Sequence, residues 1–324
     1  MDNMKACVIG SGAWGTTLAK ILAENGHEVV IWSHSETIAE EITTGHENKA
    51  LLPGVLLPDT ITSTTSLPMA CQAKALIVLV VASEFYSTMA ESLGPLLGDN
   101  TLLLSATKGI DRATLRCLSE ILFEKLPASC HDKVAILSGP NISKEIAARK
   151  PSATVISSYH NETAVRIQSF FKNDYFRVYT NNDVTGTELG GTLKNIIAIA
   201  AGAIDGLGLG DNLKSALMVR GLVEMMRFAM ALGARPETLS GLAGMGDLIV
   251  TCSSVHSRNH FVGEHLGKGM ALKDILYKMT AVAEGVETTR LAYTIAQEKN
   301  IDMPVTEQVY KVLFENQPVE KALR

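Results

Sequence analysis

The sequence lacks the features that mark several large classes of protein. Its five cysteines lie far apart, and no two of them form a C-x-x-C pair. Disulfide frameworks and thiolate metal sites need paired or closely spaced cysteines, so this usage indicates reduced thiols in a cytoplasm. The longest apolar runs, at 75–82 and 196–204, are under half the ~20 residues that span a bilayer. The N-terminus also lacks a basic segment with a cleavage site, so we expect neither a membrane-spanning helix nor a signal peptide.

The chain also lacks a large excess of charge of one sign. Lysine and arginine number 29 against 34 acidic residues, which gives a formal net charge of −5, and the two signs are interspersed. Binding to a phosphodiester backbone needs a basic surface that displaces counterions, so nucleic acid is a poor candidate partner. The chain has 324 residues, of which 46% are hydrophobic, and we expect two globular domains.

The chain changes character near its middle. In the first half, short apolar runs alternate with helical stretches, and these runs occupy residues 6–9, 28–32, 76–81, 101–104, 134–137, 153–157 and 176–179. Because they lack polar alternation, they predict strands of a parallel sheet with helices on both faces. After Asp183, segments rich in alanine, leucine and methionine predict helices at 185–204, 211–232, 259–278 and 284–299. The predicted fold is therefore α/β, with an N-terminal parallel-sheet domain (1–185) followed by an all-helical domain (186–324).

A glycine-rich turn follows the first predicted strand. Gly10, Gly12 and Gly15 are spaced as G-x-G-x-x-G between the strand that ends at Ile9 and a predicted helix at 16–25. The first glycine permits a tight turn, the second lets the backbone approach a pyrophosphate, and the third lets helix and strand pack closely. The helix N-terminus offers free N–H groups to the anion. In this context the motif predicts a Rossmann-type domain that binds a nicotinamide dinucleotide, although a glycine turn without a ligand has the same letters.

The end of the second predicted strand bears on which dinucleotide is bound. NAD-selective sites place a carboxylate there, which bonds the ribose 2′-OH and repels a 2′-phosphate. This strand instead ends in Trp32, Ser33 and His34, and hydroxyl and imidazole groups can donate to a 2′-phosphate. We therefore expect NADP(H) to be accepted and even preferred, with NAD(H) as the alternative. His34 is also compatible with an ordinary exposed loop residue.

Two polar residues interrupt a very apolar predicted helix. Lys194 and Asn195 stand in the segment 190–201, which is otherwise glycine, alanine, isoleucine, leucine and threonine. Gly190 and Gly191 precede Lys194 by four and three residues, so one helical face has room for a ligand beside the ammonium. A lysine in such a cleft can have a depressed pKa and serve as acid or base. The simpler alternative is a lysine whose ammonium extends to solvent.

Further candidates stand in loops. Asp247 ends a glycine-rich segment and can orient Lys194, and Arg258 before a helical stretch can clamp a phosphate. Lys108, Gly139 and Asn141 each follow a predicted strand, where an open parallel sheet binds its ligands. The same residues are compatible with packing glycines, a helix N-cap and a solvated surface lysine.

A metal site is not predicted. The spacing of Cys252, His256 and His260 would place three ligands on one face of a helix, but Arg258 and Asn259 interrupt the run. No H-E-x-x-H motif occurs in the sequence.

Taken together, these motifs resemble the bacterial NAD(P)-dependent sn-glycerol-3-phosphate dehydrogenases. The resemblance covers nearly the whole chain, through residues 10–15, 106–109, 138–140, 189–196, 244–248, 251–252, 257–259 and 282–285. It implies that Lys194 accepts the proton in alcohol oxidation and donates it in ketone reduction, with Asp247 beside it. It also implies a cytoplasmic homodimer that supplies glycerol 3-phosphate for phospholipid synthesis.

The resemblance also assigns binding residues. Those expected to contact substrate are Lys108, Gly139, Asn141, Lys194, Asn195, Asp247, Ser257, Arg258 and Asn259. Those expected to contact cofactor are Gly10, Gly12, Ala13, Trp14, Gly15, Ser33, His34, Lys108, Ser143, Arg258, Val282 and Glu284. Ala13 stands where the family usually has serine and Asn141 where it usually has threonine, so we expect altered affinity rather than lost chemistry.

The residues and the resemblance together predict the reaction. A hydride from NAD(P)H is expected to reduce dihydroxyacetone phosphate at C2 to sn-glycerol 3-phosphate, while Lys194, facing the nicotinamide where the two halves of the chain meet, protonates the carbonyl oxygen. One alternative is a hydroxyacid dehydrogenase, which would use its arginine on a carboxylate. Another is a non-catalytic NADP(H) sensor, although a sensor needs no proton donor.

Overall fold

The computed structural model describes residues 3–279 and 282–323. The chain forms two compact units. The first comprises the residues up to Asp111 together with Leu118–Val184, and the second comprises Arg112–Cys117 and the residues from Thr185 onward. The short segment 112–117 therefore belongs to the second unit, although in the sequence it lies between two parts of the first unit. No composition pattern predicted this assignment.

The first unit is built on an eight-stranded sheet in the order β3-β2-β1-β4-β5-β6-β7-β8. Its strands are β1 (Lys5–Ile9), β2 (Glu28–Trp32), β3 (Ile61–Thr64), β4 (Leu76–Leu79), β5 (Leu102–Ser105), β6 (Val134–Ser138), β7 (Ser152–Ser157) and β8 (Phe176–Asn181). Neighbouring strands are parallel except β6 and β7, which are antiparallel. The predicted Rossmann-type parallel sheet followed by a helical domain is thus confirmed, with one antiparallel pairing that the sequence did not predict. The whole connection from β6 to β7 is residues 139–151, and its one α-helix, α6 (Ser143–Ala147), has only five residues. At about 1.5 Å per residue, that helix is shorter than the strand it would have to run back along for a parallel pairing.

Both faces of the sheet are covered, as the continuous apolar strands predicted. Alternate residues of β1 point to opposite faces, so Ala6 and Val8 join one buried apolar cluster and Cys7 and Ile9 join the other. The edge strand β3 was not predicted, because in its sequence Ile-Thr-Ser-Thr only Ile61 is buried and apolar.

Helices of the first unit connect the strands. They are α1 (Ala13–Glu24), α2 (Glu36–Gly45), α3 (Leu67–Cys71), α4 (Tyr86–Leu93), α5 (Leu118–Lys125), α6 (Ser143–Ala147) and α7 (Asn161–Phe171). The helix α1 follows β1 after three residues, 10–12, which places the glycine motif at the carboxyl end of the central strand β1. That edge is where an open parallel sheet binds its ligands.

Within the described residues the second unit is helical. Its helices are α8 (Val184–Gly206), α9 (Asp211–Ala231), α10 (Pro236–Ser240), α11 (Asp247–Ser253), α12 (Arg258–Gly267), α13 (Leu272–Lys278), α14 (Glu284–Glu298), α15 (Pro304–Phe314) and α16 (Val319–Ala322). A π-helical turn, Leu242–Gly246, leads into α11. The single helix predicted at 259–278 is two helices, and α10, α11, α15 and α16 were not predicted.

The helices α8 and α12 approach each other through glycines. A Cβ on Gly202 would lie 2.1 Å from the His260 carbonyl oxygen, and one on Gly263 would lie 1.8 Å from that of Ile199. No side chain fits at either position, so the two backbones touch. This contact fixes the start of α12, with Arg258 and Asn259, against the helix that carries Lys194.

No helix in residues 3–279 or 282–323 combines the length and apolar character that crossing a bilayer requires.

Candidate active site

The glycine motif forms a turn with an open cradle. Gly10 has φ +122°, and a Cβ there would lie 2.4 Å from the Val80 carbonyl oxygen. A Cβ on Gly15 would lie 2.0 Å from the Gly10 oxygen, whereas a Cβ on Gly12 would meet no atom within 4 Å. Two glycines are therefore required by packing and the third leaves space beside the N-terminus of α1. This geometry fits the pyrophosphate of a dinucleotide.

Hydroxyl groups connect this turn to the end of β2. The Ser33 Oγ lies 2.8 Å from the Ser11 Oγ and accepts from the Ser35 N–H at 3.2 Å. His34, which stands between Ser33 and Ser35 in the sequence, is exposed. With no carboxylate at this strand end, the residues present fit a ribose that carries a 2′-phosphate as well as one that carries a hydroxyl.

Sequence reasoning missed Asn48. Its buried amide donates to the Ser11 carbonyl oxygen at 2.7 Å and to the Thr16 Oγ1 at 2.9 Å, and so braces the glycine turn from outside the motif. It lies 37 residues from Ser11 in the sequence, and no local pattern marks it.

The first turn of α1 contacts the start of α6. Ala13 is the first residue of α1, and the half-buried Trp14 packs against the apolar core of the sheet. The Thr17 hydroxyl donates to the Ala13 carbonyl oxygen at 2.8 Å and lies 3.4 Å from that of Ser143. Ser143 therefore lies beside the helix that opens the glycine cradle, where a cofactor contact is feasible.

Lys108, Gly139 and Asn141 come together at one sheet edge, because β5 and β6 are parallel neighbours. The Lys108 Nζ lies 3.5 Å from the Gly139 carbonyl oxygen. The Thr154 hydroxyl donates to the Ser138 carbonyl oxygen at 3.0 Å, so its oxygen accepts from the Asn141 Nδ2, also at 3.0 Å. This chain of bonds fixes which way the Asn141 amide points. Its Oδ1 is buried without a hydrogen-bond partner in the part of the chain that the structure describes.

In the second unit, Lys194 meets Asp247. Lys194 is 8% exposed and Asp247 is fully buried, and the ammonium donates to the Asp247 Oδ1. The contact depends on backbone packing, since a Cβ on Gly190 would lie 2.5 Å from the carbonyl oxygen of Ala243 in the π-helical turn. Gly190 thus brings α8 against the turn that delivers Asp247. The lysine does not extend to bulk solvent, which was the alternative.

Thr251 completes this group, and sequence reasoning did not assign it a role. Its Oγ1 accepts from the Lys194 Nζ at 2.7 Å and donates to the Asp247 carbonyl oxygen at 2.6 Å. A threonine four residues after Asp247 lies on the same helical face, and that spacing was the signal available in the sequence. The ammonium is therefore held by a carboxylate and a hydroxyl on one helix.

The residues around this group are buried. Cys252, fully buried next to Thr251, has its pKa raised to about 12, chiefly by burial. A site that excludes water strengthens every interaction of the ammonium with its partners.

The N-terminus of α12 carries the remaining candidates. The Ser257 Oγ caps the helix by accepting from the His260 N–H at 3.2 Å, and the exposed Arg258 donates to the Val282 carbonyl oxygen at 2.7 Å. Asn259 is buried, and its Oδ1 accepts from the Gly285 N–H at 2.9 Å.

The start of α14 packs against this end of α12. A Cβ on Gly285 would lie 2.8 Å from the Asn195 carbonyl oxygen. Asn195 and Asn259 therefore both lie against Gly285, the second residue of α14.

The Cys252-to-His260 spacing does not describe one helix. Cys252 is in α11 and His260 is in α12, where the His260 Nε2 lies 2.7 Å from the Asp205 Oδ2. Among the described residues, no group of three or more His, Cys, Asp or Glu side chains is arranged to hold a metal ion.

Comparison with known proteins places this geometry in a family. The model of the NAD-dependent glycerol-3-phosphate dehydrogenase N-terminus matches residues 5–164, and that of the C-terminus matches residues 183–324. The chain belongs to the NAD-dependent glycerol-3-phosphate dehydrogenase family. The resemblance stated from the motifs is thereby confirmed.

Relatives extend this result over the whole chain. Glycerol-3-phosphate dehydrogenase (NAD(P)+) of Enterococcus faecalis is 44% identical over 322 residues, covering 99% of this chain and 95% of the relative. The enzyme of the same name from Bacillus cytotoxicus is 46% identical, covering 98% and 94%. The crystal structure of glycerol-3-phosphate dehydrogenase from Coxiella burnetii matches with a TM-score of 0.93 at 34% identity, covering 99% of this chain and 98% of that one. This chain is accordingly an NAD(P)-dependent oxidoreductase.

Proposed function

We propose that this family member catalyses the reversible NAD(P)H-dependent reduction of dihydroxyacetone phosphate to sn-glycerol 3-phosphate. The observation that carries the proposal is the Lys194 ammonium, buried and bonded to Asp247 and Thr251. A ketone reduction needs one proton donor at the oxygen that gains negative charge, and a held ammonium is such a donor.

Lys194 moves the proton. When bound, the nicotinamide would supply the hydride for C2 of the ketone. Lys194 donates a proton from Nζ to the carbonyl oxygen, and in the reverse direction Nζ takes the hydroxyl proton back. Asp247 stabilises the ammonium and Thr251 fixes its direction, so little reorganisation is needed when charge develops.

Cations and amides bind the substrate phosphate. Arg258 is exposed and bonded to one carbonyl oxygen, so its guanidinium retains N–H groups that suit a phosphate. We assign Asn195, Ser257 and Asn259 to the same substrate, and Lys108, Gly139 and Asn141 as contacts from the first unit.

The first unit binds the dinucleotide. We assign the pyrophosphate to the turn of Gly10, Gly12 and Gly15, and the adenosine ribose to Ser33 and His34. Hydroxyl and imidazole groups at that position favour NADP(H) over NAD(H). The other cofactor contacts we assign are Ala13, Trp14, Lys108, Ser143, Arg258, Val282 and Glu284.

Family membership supports three further assignments. We place the enzyme in the cytoplasm, as a homodimer, and its product in phospholipid synthesis. The scattered reduced cysteines agree with that compartment.

Following NADPH absorbance with purified protein tests the reaction directly. We expect oxidation of NADPH only when dihydroxyacetone phosphate is added, and no comparable rate with unphosphorylated 2-oxo acids. Absence of turnover with the phosphorylated ketone would refute the proposal, and preference for a 2-oxo acid would make the enzyme a hydroxyacid dehydrogenase. Titration with NADPH and NADH separately tests the preference, which equal or tighter NADH binding contradicts.

A further inference from the structure

An apolar cavity of about 470 Å³ lies within the second unit, away from Lys194 and Asp247. Its walls come from α8, α9, α15 and α16, and include Ile199, Ile204, Leu217, Val309 and Val312. The space opens to solvent beside exposed residues of α9, such as Leu213 and Ala216. Its volume lies in the range of clefts that hold small ligands.

The charged residues of this cavity all carry the same sign, and Gln308 is an uncharged polar residue of the lining. Arg220 and Lys321 both line it, and no described residue of its lining is acidic. Neither side chain makes a hydrogen bond or ion pair with any residue in the ranges 3–279 and 282–323. Some other cations of this unit are paired, such as Lys214 with Asp205 and Arg227 with Asp302. Two exposed cations without a partner in the part of the chain that the structure describes therefore stand beside a mostly apolar space.

We propose that the cavity binds an amphiphile with an alkyl chain and an anionic head group. The chain would replace water against the apolar walls, and the carboxylate or phosphate head would pair with Arg220 and Lys321. Burial of apolar surface supplies the affinity and the two cations set the orientation. The same helix, α8, carries Lys194 about one turn before the cavity wall begins at Ile199.

A second copy of the chain is the competing occupant. On α9, Val219, Val223 and Met230 are exposed on one face. Val219 directly precedes Arg220, which lines the cavity. A symmetric contact across this mouth, however, would bring Arg220 and Lys321 of both copies towards each other without acidic residues in the lining to meet them. Charge therefore favours an anionic ligand over self-association at the mouth itself.

Calorimetric titration with dodecanoate below its critical micelle concentration tests the proposal. We expect saturable binding of one dodecanoate per chain, weaker for decanoate and octanoate by roughly tenfold per two methylenes. Neutral 1-dodecanol is expected to bind several-fold more weakly. The measurement needs neither cofactor nor ketone, so its outcome is independent of the reaction proposed above.

Variants locate the site. Ala216→Trp fills the cavity from an exposed position of α9 and should weaken binding at least tenfold, and Arg220→Gln with Lys321→Gln should weaken it about fivefold to tenfold. Lys299→Gln, an exposed cation outside the cavity, is the matched control and should have no effect. Absence of saturable binding, or binding that Ala216→Trp leaves unchanged, overturns the proposal. If Ala216→Trp instead changes the mass measured by light scattering and dodecanoate does not bind, the cavity belongs to a contact between copies.

Discussion

Thr251 and Asp247 hold Lys194 from a single helical turn, with the threonine oxygen 2.7 Å from the ammonium and its hydroxyl donating to the aspartate backbone. Because the only hydroxyl proton is used on the backbone, the oxygen is left to accept from lysine. The threonine thus acts on catalysis through Lys194 rather than through the substrate.

Replacing Thr251 tests this positioning role. Thr251→Val removes one hydrogen bond to a charged group, which is worth about 1.5–3 kcal/mol. We expect kcat for ketone reduction to fall roughly 10- to 100-fold while the Kd for NADPH stays unchanged. Thr251→Ser keeps the hydroxyl and should restore most of the turnover. Equal activity of the valine and serine variants would show that the hydroxyl has no part in positioning the ammonium.

Variants of the buried Lys194–Asp247 pair distinguish an effect on catalysis from an effect on stability. Lys194→Met should lower kcat by about 10²–10⁴, the usual contribution of general acid catalysis. It also leaves the fully buried Asp247 without its ammonium, and removing one member of a buried pair costs about 3–5 kcal/mol.

The double variant Lys194→Met/Asp247→Asn removes the stranded charge. We expect it to be as inactive as the single variant but closer to the wild type in unfolding free energy. Urea unfolding followed by circular dichroism measures this. A double variant less stable than Lys194→Met would contradict the description of Asp247 as a charge that lysine neutralises.

The glycines of the cradle differ in what they do. Gly12→Ala adds a Cβ into open space, so the fold should be kept while the Kd for NADPH rises by tenfold or more. Gly15→Ala places a Cβ 2.0 Å from the Gly10 oxygen and should destabilise the first unit. Gly45→Ala, where a Cβ meets nothing, is the matched control. Thermal unfolding and NADPH titration of the three variants check this, and a Gly12→Ala enzyme with wild-type affinity would remove that residue from the pyrophosphate site.

Short sequence patterns predicted the features whose residues lie close together in the sequence. The glycine turn could be predicted because strand, turn and helix are contiguous, and Lys194 stood out because an apolar helix makes an ammonium conspicuous. Asn48 acts through contacts with residues far away in the sequence and has no distinctive setting there, and the only sequence signal for Thr251 was its spacing from Asp247.

The errors in the fold have the same origin. The edge strand β3 buries little apolar surface, so Ile61 alone did not identify it. The antiparallel pairing of β7 accompanies a connection whose one α-helix, α6, is only five residues long, a property that apolar composition does not encode. The helices α10 and α11 were hidden by glycines that close packing requires, such as Gly244, whose Cβ would lie 2.1 Å from the Leu239 carbonyl oxygen.

His27 should make the first unit sensitive to acid. Its ring is buried 5.0 Å from that of Phe170, and neither ring nitrogen has a hydrogen-bond partner among the described residues. Burial lowers the pKa of His27, and the nearby Phe170 backbone offsets only part of this. The unfolded chain therefore takes up a proton below about pH 6.5, before the folded chain does, and stability falls as the pH drops through that range. One proton limits the slope of unfolding free energy against pH to about 1.4 kcal/mol per pH unit.

Both tryptophans, Trp14 and Trp32, lie in the first unit, so urea unfolding followed by their fluorescence reports the stability of that unit. His27→Leu should flatten the dependence of the unfolding free energy on pH between pH 7.5 and pH 5. A constant difference in unfolding free energy between variant and wild type above pH 8 reports the change in packing alone. If wild type and variant lose stability in parallel on acidification, the proton is bound elsewhere and His27 is not the acid-sensitive group.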